Sequence, residues 1–229
     1  MQELKKVLIV LTNHASHTSG KPTGYWLSEL THFYAVLHAA GIEMDFASPK
    51  GGEPPMDPAS REGTDVASSA CLADPEFMQK LQHTKNPSEV NAAEYCAVYY
   101  PGGHGPMWDL ATDKSIAAIS AVVYEHQGIV SAVCHGPAGL LPIILVDGTP
   151  LLAGKTVAGF SNMEERLSGK TAEVPFLLED ALRNVAKKYT KAFLPFNSHV
   201  EVDGRVVTGQ NPKSAKGVAE ALLSLLKNM

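Results

Sequence analysis

The chain has 229 residues, with 24 acidic residues against 19 Lys and Arg, and a formal net charge of −5. That balance excludes a general binder of nucleic acid or of an anionic membrane surface. Hydrophobic content of 45% with 19% charged residues is the mixture of an ordinary globular protein, and the length suits one domain over residues 1–229.

The three cysteines, Cys71, Cys96 and Cys134, are odd in number and far apart. They make neither a disulfide framework nor a structural zinc pattern, so a reducing cytoplasmic setting is expected. The N-terminal apolar run is too short for a secretory segment. No stretch approaches the roughly 20 apolar residues that span a bilayer.

In chain order, residues 5–12 form a continuous β-branched and Leu run, the pattern of a central parallel strand buried on both faces. A polar loop leads to a predicted helix over 24–40, with Trp26, Leu27, Leu30, Phe33, Tyr34 and Leu37 at helical spacing and Gly41 at its end. Residues 42–47 read as a second strand. The segment 49–94 is rich in Pro and Gly and carries two Asx-Pro helix starts, Asp74-Pro75 and Asn86-Pro87. It reads as a loop-and-helix insertion that caps a site.

The α/β rhythm then resumes. Strands are predicted over 96–100, 128–133 and 155–160, and helices over 113–126 and 176–189. Asp203-Gly204 between alternating apolar residues predicts a hairpin over 200–208. Gly209 to Pro212 caps a last helix that runs to Leu226. Strands alternating with helices give an open, mostly parallel sheet flanked by helices. Ligands of such sheets bind at the carboxyl ends of the strands, where Gly103 and Cys134 both fall.

Cys134 stands where a buried strand turns into a helix-like stretch, Val133-Cys134-His135-Gly136-Pro137. This is a nucleophile-elbow arrangement with Cys in place of Ser. At a helix N-terminus, backbone N–H groups and the helix dipole favour the thiolate. Cys96 and Cys71 read as structural cysteines. His14, His17, His83, His104 and His126 are scattered along loops and helices with no ligand spacing, so no metal and no cofactor is expected.

The runs Val7 to Thr12, Tyr99 to Gly105, Val133 to Pro137 and Thr208 to Pro212 resemble those of the ThiJ/PfpI superfamily, which has a flavodoxin-like, class I glutamine-amidotransferase-like fold. Cys-His-Gly-Pro, with Gly24 to Leu30 near the start, is most similar to its heat-shock-protein-thirty-one/glyoxalase III branch.

The resemblance implies that Cys134 is the nucleophile, that His135 lies beside its sulfur, and that an acid after the next strand orients the imidazole. Aligning Gly159-Phe160-Ser161 places that acid at Glu165, with Glu164 the neighbouring alternative. Glu29 reads from sequence alone as a solvated helix residue, whereas the resemblance implies a buried acid beside the thiol. The Gly103 and His135 amides are the expected oxyanion donors.

The implied activity is glutathione-independent conversion of a small dicarbonyl, methylglyoxal or glyoxal, to lactate or glycolate by a homodimer. Alternatives are a holdase chaperone using exposed apolar surface, in part from 49–94, a protein deglycase, a Cys hydrolase of peptidase or amidase type, and a thiol redox sensor.

Overall fold

The computed structural model describes residues 6–62 and 64–228. Lys5, the expected start of the first strand, lies outside the described residues. The strands are β1 (Lys6–Val10), β2 (Met44–Ala47), β3 (Tyr95–Tyr100), β4 (Ile129–Val133), β5 (Thr156–Val157), β6 (Lys188–Tyr189), β7 (Val200–Asp203) and β8 (Val206–Gly209). The α-helices are α1 (Leu27–Ala39), α2 (Val66–Ala73), α3 (Pro75–Gln82), α4 (Lys114–Glu125), α5 (Asn162–Leu167), α6 (Leu178–Val185) and α7 (Ala215–Leu226).

Six strands form one sheet in the order β2-β1-β3-β4-β8-β7. All neighbours are parallel except the β7–β8 hairpin, whose turn places Gly204 at φ +62°. Helices α1 and α7 pack on each other, α7 lies against β4 and β8, and α4 lies against β3 and β4. The apolar runs of β1, β3 and β4 are buried, apart from the half-buried Cys96, because helices and neighbouring strands cover them. Since these strands are parallel, the loops after β1, β3 and β4 all emerge along one edge. The helices and mostly parallel sheet match the flavodoxin-like architecture expected from the sequence.

Three local expectations differ. The predicted strand 155–160 contracts to the two residues of β5, which pairs with β6 outside the main sheet. The predicted helix 176–189 stops at Val185, and Lys188–Tyr189 turns extended. Tyr189 leaves the helix to bury its ring, its hydroxyl donating to the Gly159 carbonyl at 2.8 Å.

The stretch after Cys134 is a five-residue 3-10 helix, Gly136–Leu140, and not an α-helix. Two glycines lower its helix propensity, and Pro142 blocks continuation. Gly136 also presses on the Tyr100 carbonyl so closely that a Cβ would stand 2.0 Å from the oxygen.

The 49–94 segment departs from a simple cap. Helix α2 packs on α1, and α3 on α2 and β2; only Asp57, Pro58 and Ala59 of the segment line the main pocket. The most exposed large apolar side chains include Phe193, Val146 and Val66. Two of those three lie outside 49–94.

Candidate active site

β4 carries Cys134 to the carboxyl edge of the sheet, where its backbone adopts φ +60°. A non-glycine residue in that region costs about 1 to 3 kcal/mol and needs surroundings that hold it. Here the Cys134 N–H donates to the Gly209 carbonyl at 3.0 Å, and the Phe160 N–H donates to the Cys134 carbonyl at 2.8 Å. The end of β8 and the segment after β5 thus clamp the residue from two sides.

His135 Nδ1 lies 3.4 Å from Cys134 Sγ, and its Nε2 lies 2.8 Å from Glu165 Oε2. Sequence neighbours often point apart, but the left-handed turn at Cys134 directs both side chains into one pocket. Glu165 reaches it from the first turn of α5. Glu164, one residue earlier, faces elsewhere: it closes a capping box with Ser161 and accepts from Phe196 N–H at 2.8 Å and from Asn211 Nδ2 at 2.9 Å.

The second Glu165 oxygen lies 3.0 Å from Nε2 of His104, whose ring centroid is 4.2 Å from that of His135. Burial works to raise the Glu165 pKa, but the two imidazoles win and hold it far below the carboxylate range. His104 is itself shifted down by burial and by its neighbour His135. The sequence reading grouped His104 with scattered histidines. Its position in the loop after β3, at the same sheet edge as Cys134, is the signal that could have singled it out.

Glu29 is fully buried, contrary to the solvated face that helical spacing alone suggests. Its Oε2 accepts the Gly102 N–H at 2.6 Å, while Oε1 has no hydrogen-bond partner of ordinary geometry. Tyr99 Oη–H donates to the Glu29 carbonyl at 2.9 Å and fixes the first turns of α1 over β3. Burial pushes the Glu29 pKa up to about 8, against the Cys134 thiol and the Gly102 amide, which favour the ionised form as donors.

Cys134 is raised well above the usual thiol value, by burial first and by the neighbouring Glu29 charge second; the Gly103 N–H acts in the opposite direction. Thiolate stabilisation by an α-helix dipole, expected from the sequence, is therefore corrected. The helix is a short 3-10 turn, and burial beside a carboxyl outweighs it.

Gly103 follows β3 at φ +84°, and a Cβ there would stand 2.2 Å from the Gly24 carbonyl. Only glycine permits this approach. Among the described residues, neither the Gly103 nor the His135 N–H donates to a backbone carbonyl.

The pocket above Cys134 has a volume of about 560 Å³ and is walled by Trp26, Phe160 and Phe196. His17, Asp57 and His104 line its other side. His83 and His126 cap helix ends, and His14 stacks on Trp108 at 4.6 Å. His17 and His104, by contrast, are neighbours with ring centroids 4.9 Å apart, so these two are not scattered in space.

Residues 6–225 match the model of the DJ-1/PfpI family. The chain belongs to the DJ-1/PfpI family. Within that family it is 33% identical, over 98% of its length and 99% of the relative's, to the glutathione-independent glyoxalase HSP31 of Saccharomyces cerevisiae. It is 32% identical to Glyoxalase 3 of Candida albicans, covering 96% of this chain and 97% of that one.

Two solved structures superpose closely. The rapid encystment protein of 24 kDa from Francisella tularensis has a TM-score of 0.92 at 38% identity, over 97% of this chain and 99% of its own. The Candida albicans glyoxalase III has a TM-score of 0.89 at 29% identity, over 96% and 97%.

Proposed function

We propose that this chain is a glutathione-independent glyoxalase that converts methylglyoxal to lactate, with Cys134, His135, Glu165 and Glu29 as the catalytic set. The observation that carries this reading is the buried Glu29 carboxyl beside the Cys134 thiol, opposite the His135–Glu165 pair. A nucleophile alone captures an aldehyde; rearranging a dicarbonyl also requires a group that takes and returns a proton at carbon. Relatives bearing the glyoxalase name cover nearly the whole chain, which supports the same assignment.

In this mechanism His135 Nδ1 takes the thiol proton as sulfur adds to the aldehyde carbon. The resulting oxyanion is met by the Gly103 and His135 amides and becomes a hemithioacetal hydroxyl on protonation. Glu29, whose proton has passed to that oxyanion, then removes the hydrogen of the former aldehyde carbon as a carboxylate, and the adjacent ketone oxygen takes the proton held by His135 to give an enediol. Protonation of the second carbon by Glu29, with the hydroxyl proton of the first carbon passing to His135, yields the lactyl thioester. Water adds to its carbonyl, the C–S bond breaks, and Cys134 regains its proton. The sum is methylglyoxal plus water to lactate, with no net oxidation.

Purified protein and its Cys134→Ala variant, assayed on methylglyoxal without glutathione and with lactate measured directly, test the proposal. Turnover by the first and none by the second is expected. No wild-type lactate would overturn the reading.

A further inference from the structure

We propose that His17, Asp57 and His104 form a binding site for a divalent first-row transition ion at the mouth of the Cys134 pocket. One donor atom from each residue lies within 4.8 Å of the others. The three residues are 4%, 5% and 8% exposed. They come from three separate segments: the loop after β1, the turn at residues 57–61, and the loop after β3.

An orphaned donor atom points to a ligand. His17 Nδ1 is buried with no hydrogen-bond partner in the structure, an arrangement proteins avoid unless something fills it. The other two residues have fixed partners that leave lone pairs free. His104 gives Nε2–H to Glu165 at 3.0 Å, which leaves the lone pair of a neutral imidazole on its other nitrogen. A carboxylate behind a metal-binding histidine is the common outer-shell partner. Asp57 is fixed by Thr23 Oγ1–H at 2.8 Å on one oxygen and by Ala59 N–H at 3.0 Å on the other. Each oxygen keeps a lone pair for a further partner.

Two imidazoles and one carboxylate select zinc, iron, cobalt or nickel over calcium or magnesium, which prefer all-oxygen shells. Lys170 Nζ lies 3.5 Å from His17 Nε2, and its flexible stem allows it to withdraw. All three residues line the pocket that Cys134 also lines, so an ion held by them would be reachable from it. The site does not depend on the glyoxalase reading.

The test uses the full chain with Cys134→Ser, so that the thiol cannot serve as a ligand. Zn²⁺ is titrated calorimetrically, and Co²⁺ is followed by its visible bands. One ion per chain is expected. His17→Ala should weaken binding by about 100-fold or more, beyond what loss of an outer-shell partner alone costs, and Glu165→Gln by about 10-fold. Asp57→Asn should also weaken it; its cap role makes folding a concern, so circular dichroism accompanies it and His17→Ala decides. No saturable Zn²⁺ uptake by the Cys134→Ser protein, or unchanged affinity after His17→Ala, would overturn the proposal.

Discussion

Glu29 and Cys134 lie side by side, both buried, and burial raises the pKa of each, with the Glu29 charge a second cause for the thiol. Both therefore hold their protons near neutral pH. In the proposed mechanism the carboxyl thus enters protonated and becomes a base only after its proton has passed to the oxyanion.

Replacing Glu29 separates capture from rearrangement. Glu29→Gln keeps an oxygen to accept the Gly102 N–H but removes the base, so kcat on methylglyoxal should fall by about 10² to 10⁴-fold. Hemithioacetal formation should persist, seen as a mass adduct on Cys134. Full turnover by the variant would remove Glu29 from the mechanism.

The same residue leaves a signature in stability. In the unfolded chain the carboxyl ionises near 4.5, whereas in the fold it holds its proton up to about 8. Between these values the folded chain binds the extra proton, so the Glu29 contribution falls as pH rises from about 4.5 to about 8 and is level above. At about 1.4 kcal/mol per pKa unit, wild type should lose a few kcal/mol relative to Glu29→Gln across that window. Denaturant melts of both proteins at pH 5 and pH 8 measure the difference; parallel pH profiles would count against a buried proton at Glu29.

Thiol reactivity follows from the same pair with the opposite sense. Removing the Glu29 charge takes away a cause of the raised Cys134 pKa, so Glu29→Gln should speed alkylation of Cys134 by iodoacetamide at pH 9, where Glu29 is ionised. Cys71, pushed up to about 11 by burial and by Asp74 and Asp65, should react slowly in both proteins. Peptide mass spectrometry resolves the two sites.

The adjacent acids of α5 should fail in different ways. Glu165→Gln leaves His135 and His104 without their shared carboxylate and should cost about 10⁴-fold in kcat/KM, together with some stability at neutral pH. Glu164→Gln disturbs bonds to Ser161, Phe196 and Asn211 and should lower stability by about 1 to 3 kcal/mol. Its effect on kcat/KM should be smaller. A larger catalytic loss at Glu164 would reassign the acid.

Elements whose stability is local were legible from sequence. The apolar runs of β1, β3 and β4, the Asp203-Gly204 turn and the Asp74-Pro75 start of α3 each carry their own signal, and all appear in the structure. The end of α6 did not announce itself, because Tyr189 breaks from the helix for a partner thirty residues away. Glu29 was misread by spacing for a similar reason: what buries it is the approach of Gly102, 73 residues distant. Cys134 could be found from its own neighbours, but the His17–His104 contact exists only once the β1 and β3 loops share an edge.

The two acids of α5 also set how much change the loop before them tolerates. Successive residues of a helix point about 100° apart, and here one step separates the carboxylate that holds Asn211 from the one that holds His135. Inserting or deleting a single residue between the Phe160 anchor and Glu164 would rotate both at once, exchanging a structural partner for a reacting one. Loop-length variation, usually cheap at a protein surface, should be almost absent from this short segment in any working library of variants. Point substitutions at its exposed Met163 should be tolerated freely.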